Sequence, residues 1–160
     1  MEANDLNGLI KEIPFQWRVQ SINQSNAICV AYIDSRQVQD LLDEICGPEN
    51  WQSDYKEVKG NMFAGVGIFV DGQWVWKWDC GTESNTEKEK GEASDSFKRA
   101  AVKWGIGRFL YSLPITRLKS INKGTADKPK YYPLYEEKNE AIYDKDKLTT
   151  YINWKLQKQK

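Results

Sequence analysis

The dipeptide Asp71-Gly72 limits this chain more tightly than any other stretch. It stands between two β-compatible runs, 62–70 and 73–79, and it is a turn favoured by two-residue hairpins. Such a turn leaves no freedom of register. If Val70 faces Gln73, then Phe69 faces Trp74, Gly67 faces Trp76 and Gly65 faces Trp78. Three tryptophans then share one sheet face, and two glycines opposite leave room for the indoles. The other face carries Val66, Ile68, Val70 and Val75, an apolar stripe that can receive a helix. The tryptophan face is open to three readings: core, subunit interface, or a platform on which bases stack.

The helix that suits the stripe lies in residues 92–113, EASDSFKRAAVKWGIGRFLYSL. Ala93, Phe97, Ala100, Ala101 and Trp104 recur at the spacing of one helical face. Lys98, Arg99 and Lys103 project to the opposite side with Val102, and Arg99 and Lys103 are one turn apart. Gly105 and Gly107 end or bend the helix, and Arg108 follows in a loop. The plain alternative to a functional role is a solvated basic face.

Composition narrows the chemistry. The formal net charge is zero, an objection to a nucleic-acid role unless the charge is unevenly spread. It is: residues 98–130 hold nine Lys and Arg against a single acid, Asp127, whereas residues 79–95 hold six acids against two lysines. The chain lacks histidine, which excludes His-based triads and His-ligated zinc sites. Cys29, Cys46 and Cys80 have no CxxC spacing, against both a zinc ribbon and a disulfide framework. Gly65-Val66-Gly67 and Gly105-Ile106-Gly107 lack the context of a dinucleotide site, and no phosphate-cradling GxxxxGK[ST] loop exists. The scattered carboxylates show no two-metal nuclease cluster, so no cofactor or metal is expected. The N-terminal residues do not read as a signal, and no run approaches eighteen apolar residues. A cytoplasmic protein with no membrane partner is expected.

Elsewhere, residues 5–13 predict a short helix stopped by Pro14, and residues 15–22 and 27–33 predict a hairpin around a turn-prone Asn-Gln-Ser-Asn. Asp34 and Gln37 form a capping box that opens a helix through Val38, Leu41, Leu42, Ile45 and Cys46, stopped by Gly47-Pro48. Arg36 sits in its first turn, where a cation gains nothing from the helix dipole; it pairs with Asp40 or with a ligand. Residues 51–59 predict a further strand, and residues 81–92 a polar connection. After Pro114 the chain is basic and Pro-containing to Pro133, then predicts a helix over 144–157. At 160 residues one domain is expected, with a core in 1–114 and a basic connection plus helical segment in 115–160.

Two stretches carry a resemblance. YIDSRQVQDLLDEICGPENW (32–51) and SDSFKRAAVKWGIGRFLY (94–111), with a glycine-containing hairpin between them, resemble the Rad52/Rad22 single-strand annealing family, above all its bacterial DdrA-type and phage Sak-type members. The likeness covers residues 15–114. It implies an α+β fold, a curved antiparallel sheet wrapped on a central helix (a β-β-β-α core), assembled into rings that hold single-stranded DNA in a basic groove. By the same resemblance Lys98 and Arg99 match a Lys-Arg pair that contacts the DNA backbone, and Arg36 falls in a segment lining that groove. Eukaryotic members carry a further arginine three positions after the pair; here that position is Val102, with Lys103 beside it. Arg117, Lys119 and Lys123 rest on charge alone.

These readings converge on a non-enzymatic, ATP-independent protein that binds single-stranded DNA and anneals complementary strands in recombination and repair. It would act as a homo-oligomeric ring in a bacterial or phage-infected cell, with a single-strand-binding protein as a further partner. Lys98, Arg99, Arg36, Lys103 and Arg108 are the expected DNA-binding residues. The alternatives are an end-protecting single-strand binder that does not anneal, a structural self-assembly module, and a metal-dependent nuclease.

Overall fold

The elements follow in the order β1 (Gln16–Ile22), β2 (Asn26–Tyr32), α1 (Ser35–Cys46), β3 (Trp51–Val58), β4 (Asn61–Val70), β5 (Gln73–Cys80), α2 (Lys88–Lys103), β6 (Thr116–Asn122), β7 (Tyr131–Tyr135), β8 (Glu140–Ala141) and α3 (Lys145–Lys158). Short 3-10 helices occupy Ala3–Ile10, Pro48–Asn50 and Arg108–Ser112. This is a computed structural model, and it describes residues 1–81 and 88–160, without the side chains of 88–90. The chain is α+β with antiparallel sheets. It forms two compact units, one of Met1–Ile13 with Ile33–Tyr111, the other of Pro14–Tyr32 with Ser112–Lys160.

In the first unit β3, β4 and β5 form an antiparallel sheet in that order. The register is the one that the Asp71-Gly72 turn dictates: Val70 pairs with Gln73, Phe69 with Trp74, Gly67 with Trp76 and Gly65 with Trp78. Asp71 and Gly72 have φ of 50° and 81°, both left-handed, as a type I′ turn needs. Lys59 and Gly60, at φ 53° and 78°, make the same kind of turn between β3 and β4. A Cβ on Gly67 would lie 2.6 Å from the Trp76 indole, and one on Gly65 2.7 Å from that of Trp78, so each ring lies flat on bare backbone.

The opposite face of β4 is the core. Ala64, Val66 and Ile68 are fully buried there, and α2 supplies Phe97, Ala100 and Ala101 from above. Burying Val66, Ile68 and Phe97 stabilises by roughly 1.5–3 kcal/mol each, and the alanines contribute less. Part of the polar connection expected over 81–92 is instead helix, since α2 begins at Lys88; residues 82–87 lie outside the described residues. Glu92 explains part of the earlier start, because its carboxylate accepts a 3.0 Å hydrogen bond from the Met62 backbone N–H and ties the first turns to β4. Ser96, buried on the same helix, accepts from the Gly81 N–H and donates to the Met62 carbonyl.

Asp34 caps α1 as its sequence requires: its carboxylate accepts from the Gln37 N–H at 2.9 Å, and the Gln37 side chain accepts from the Asp34 N–H at 3.0 Å. The expected helix at 5–13 is a 3-10 helix at Ala3–Ile10, ending before Pro14. Gly8 within it takes the Ile45 side chain at a distance that no Cβ would allow.

The second unit departs from the sequence expectation. The hairpin β1–β2 forms, but the stretch after Pro114, expected as a basic connection, supplies β6, β7 and β8, which complete a five-stranded sheet in the order β1-β2-β6-β7-β8. Its core gathers Trp17, Ala27, Cys29, Leu118, Ile142, Leu148, Tyr151 and Ile152. The helix α3, capped by Asp144, lies on it; its Thr149 hydroxyl accepts from the Trp17 N–H and its Asn153 from the Trp17 indole, both at 2.9 Å. Burial pushes the Cys29 and Cys46 thiols up to about 11, which removes them as nucleophiles at neutral pH.

Because the indole of Trp76 occupies the space a side chain at 67 would need, Gly67→Ala is expected to cost about 1–3 kcal/mol, as other overpacking changes do. Urea unfolding measures this. A variant as stable as the parent would mean that the ring moves aside without loss of packing.

Candidate nucleic-acid interface

The seat of α2 decides where its cations go. Phe97, Ala100 and Ala101 face the sheet, and the Trp104 indole donates a 2.9 Å hydrogen bond to the Val66 carbonyl. Lys98, Arg99 and Lys103 are thereby turned off the buried face. The acids Glu92 and Asp95 precede these three cations along α2. Of these cations Lys103 alone stands in the last turn, where positive charge complements the helix dipole, so part of the charge pattern serves the helix itself.

The three cations divide between two flanks. Lys98, half-buried, donates to the Ile33 carbonyl at 3.3 Å, just before the cap of α1. One turn earlier the Ser94 and Ser35 hydroxyls meet at 2.6 Å. These two contacts bring the first turn of α1 beside Lys98, and with it Arg36, which is exposed and has no ion pair among the described residues. The local pair with Asp40 does not form.

On the other flank Arg99 and Lys103 lean towards β5. The Arg99 Nε lies 3.8 Å from an Asp79 carboxylate oxygen, with the arginine side chain 48% exposed, and Lys103 donates to the Trp78 carbonyl. An exposed pair at that distance contributes at most about 1 kcal/mol. The sequence reading missed Lys77, which sits on this flank: its ammonium donates to the Lys103 carbonyl at 3.1 Å and lies 4.4 Å from the centre of the Trp104 ring. The hairpin register held the signal, since it places Lys77 on the face opposite Trp76 and Trp78.

Arg108 has a structural task. Its Nε donates to the Val102 carbonyl and its Nη2 to that of Lys103, each at 2.9 Å, so it adds a second donor to helix-end carbonyls that also accept from the Gly105 N–H and from Lys77. The helix stops at Lys103, and Gly105 follows with φ of 103°. Sequence placed Arg108 in a loop; it begins a 3-10 turn.

The tryptophan face is not the core of its unit, since the core is the opposite face. Trp74 is 40% exposed, Trp76 and Trp78 are half-buried and stack with centres 5.6 Å apart, and Trp74 meets Phe69 at 5.5 Å. Lys56 stands 4.5 Å above the Trp78 ring. This leaves the interface and stacking readings of that face. Among the described residues no three His, Cys, Asp or Glu side chains converge to hold a metal ion, and no helix is long and apolar enough to cross a membrane.

Two substitutions separate the cation that holds the helix from the one that is free of it. Arg108→Ala is expected to lower stability by about 1 kcal/mol or more through loss of two hydrogen bonds to carbonyls. Arg36→Ala should stay within about 0.5 kcal/mol of the parent. Chemical denaturation of both variants tests this, and equal costs would contradict it.

Comparison with known proteins adds to this geometry. Residues 3–129 match the family described as Rad52/22 family double-strand break repair protein. The chain is 36% identical over 102 residues to the single-stranded DNA-binding protein DdrA of Deinococcus radiodurans, covering 61% of this chain and 49% of that one. It is 39% identical over 94 residues to the DdrA of Deinococcus deserti, covering 58% and 46%. The chain thus matches about half the length of these curated relatives. No solved structure matches it.

Proposed function

Because this chain belongs to the Rad52/22 family of double-strand break repair proteins, we propose that it binds single-stranded DNA and anneals complementary strands without nucleotide hydrolysis. The observation that carries the reading is the cationic side of α2, which the packing of Phe97, Ala100, Ala101 and Trp104 turns off the sheet. Lys98 and Arg99 contact phosphates, Arg36 extends the contact from the neighbouring first turn of α1, and Lys103 adds to it. Arg108 contributes positive potential while it holds the helix end. The names of the two relatives support single-stranded DNA as the ligand.

The mechanism is physical. Cations replace the counterions of the strand, the strand is held extended, and its unpaired bases stay open to a complement. The 3.3 Å bond of Lys98 to the Ile33 carbonyl and the 3.8 Å ion pair of Arg99 are each weaker than a charge-assisted bond to phosphate. The two relatives are named for binding and not for annealing, so protection of a strand without annealing is the second reading.

Lys98→Ala with Arg99→Ala is expected to weaken binding to oligo(dT) and to flatten the log–log salt dependence by about 0.7 for each phosphate no longer neutralised, with the fold retained. In the same series the parent should speed the pairing of complementary oligonucleotides with no ATP present. Strong binding without faster pairing would select the protective reading, and an unchanged salt slope in the double variant would move the groove off α2.

A homo-oligomeric ring is part of the proposal, supported by a tryptophan face that the chain itself leaves partly open. Light scattering at micromolar concentration should give a mass of several chains. A mass of one chain, with and without DNA, would contradict the ring.

A further inference from the structure

The second unit holds a feature that the α2 reading does not use. A cleft of about 460 Å³ opens beside β1, β7 and the start of α3, within the roughly 300–1,000 Å³ of ordinary ligand pockets. Val19, Ile142 and Leu148 give it an apolar floor. Its rim is aromatic and basic. Tyr132 and Tyr143 meet edge to face at 4.7 Å, and Tyr143 remains 64% exposed, with a ring that this contact leaves largely to solvent.

Three cations stand in or beside the cleft, one over Tyr132 and two over a further ring, Tyr32. Lys130 lies 5.6 Å from the centre of Tyr132, and Arg18 and Lys145, which line the cleft, each lie 5.5 Å from the centre of Tyr32. Two cations over one tyrosine repel each other. Lys145 also stands at the first position of α3, where the helix dipole disfavours positive charge. Among the described residues none of the three has an ion pair. The one acid in the lining, Asp144, has an oxygen engaged with the Lys147 N–H as the cap of α3.

An exposed tyrosine ring beside a half-buried one, with cations near that form no ion pair among the described residues, matches one ligand chemistry closely. A single-stranded nucleic acid alternates flat bases with phosphates at the same short range. An acidic peptide would use the cations and leave the tyrosine rings without a partner. We propose that this cleft binds single-stranded nucleic acid, stacking an unpaired base on Tyr143 beside Tyr132 while Arg18, Lys130 and Lys145 hold the adjoining phosphates. Tyr132, Tyr143 and Lys145 lie beyond residue 129, where the family match ends, so the site adds to what the family accounts for. It shares with the α2 reading only the class of ligand.

The test uses the full chain and oligo(dT) carrying one 5-iodouracil, which crosslinks to aromatic side chains on irradiation. Crosslinks should map to Tyr132 or Tyr143. Tyr143→Ala should raise the dissociation constant about 5- to 100-fold, the range for losing one stacked base, while Tyr143→Phe keeps affinity. Tyr143 is exposed, so thermal unfolding of both variants should match the parent. Oligo(U) run alongside separates DNA from RNA as the ligand, and crosslinking at these tyrosines by either supports the site. Unchanged affinity in Tyr143→Ala, with no crosslink at either tyrosine, overturns the cleft even where Lys98→Ala with Arg99→Ala abolishes binding and so upholds α2. Binding that survives the α2 double variant but falls in Tyr143→Ala would uphold the cleft and overturn the α2 reading.

Discussion

The packing of α2 on β4 is the contact on which the candidate interface depends. One strand serves two partners through its alternation: Ala64, Val66 and Ile68 point to the helix, while Gly65 and Gly67 on the other face leave bare backbone for the indoles of β5. On the helix, Ala100 and Ala101 allow close approach, Phe97 fills the space beside them, and the Trp104 indole fixes rotation through its bond to the Val66 carbonyl. A helix held at both ends of its buried stripe has no freedom to roll. Lys98, Arg99 and Lys103 therefore leave the sheet in directions that the core sets.

Electrostatics explains how a chain of zero net charge offers an anion a surface. The acids and cations of residues 79–130 are separated along the sequence, and the fold brings them together only weakly, in the 3.8 Å pair of Arg99 with Asp79 among the described pairs. The bond from Lys98 to the Ile33 carbonyl, at 3.3 Å, and the Arg99–Asp79 pair, at 3.8 Å, are long and partly solvated, and on the proposed reading each would give way to a phosphate. Arg108 is the opposite case, with two short bonds to helix-end carbonyls. Like charge in the sequence thus covers two physical roles, and only the partners tell them apart.

What the sequence disclosed follows from the range of the interactions involved. The β4–β5 register and the cap of α1 were legible because Asp71-Gly72 and Asp34 with Gln37 act over two to four residues. The side of α2 that carries cations was legible from the helical period. β6 was not, since Thr116–Asn122 holds a single fully buried residue, Leu118, and exists as a strand through pairing with β2 some ninety residues earlier. Nor were the partners of Lys98, Arg99 and Lys103, because Ile33, Asp79 and Trp78 reach them only once the sheet and α1 are in place. Lys77 lay in plain sight, on the helix side of a register already fixed, among tryptophans that drew the reading to the other face.

The central claim is that the seat of α2 delivers Lys98 and Arg99 to the phosphates of a single strand. A structure of the protein bound to oligo(dT) tests it most directly. The account expects phosphate oxygens at about 2.7–2.9 Å from the Lys98 ammonium and the Arg99 guanidinium, the range of charge-assisted hydrogen bonds, with Trp104 still on Val66. A bound strand running elsewhere, with Lys98 still on the Ile33 carbonyl and Arg99 still beside Asp79, would contradict it.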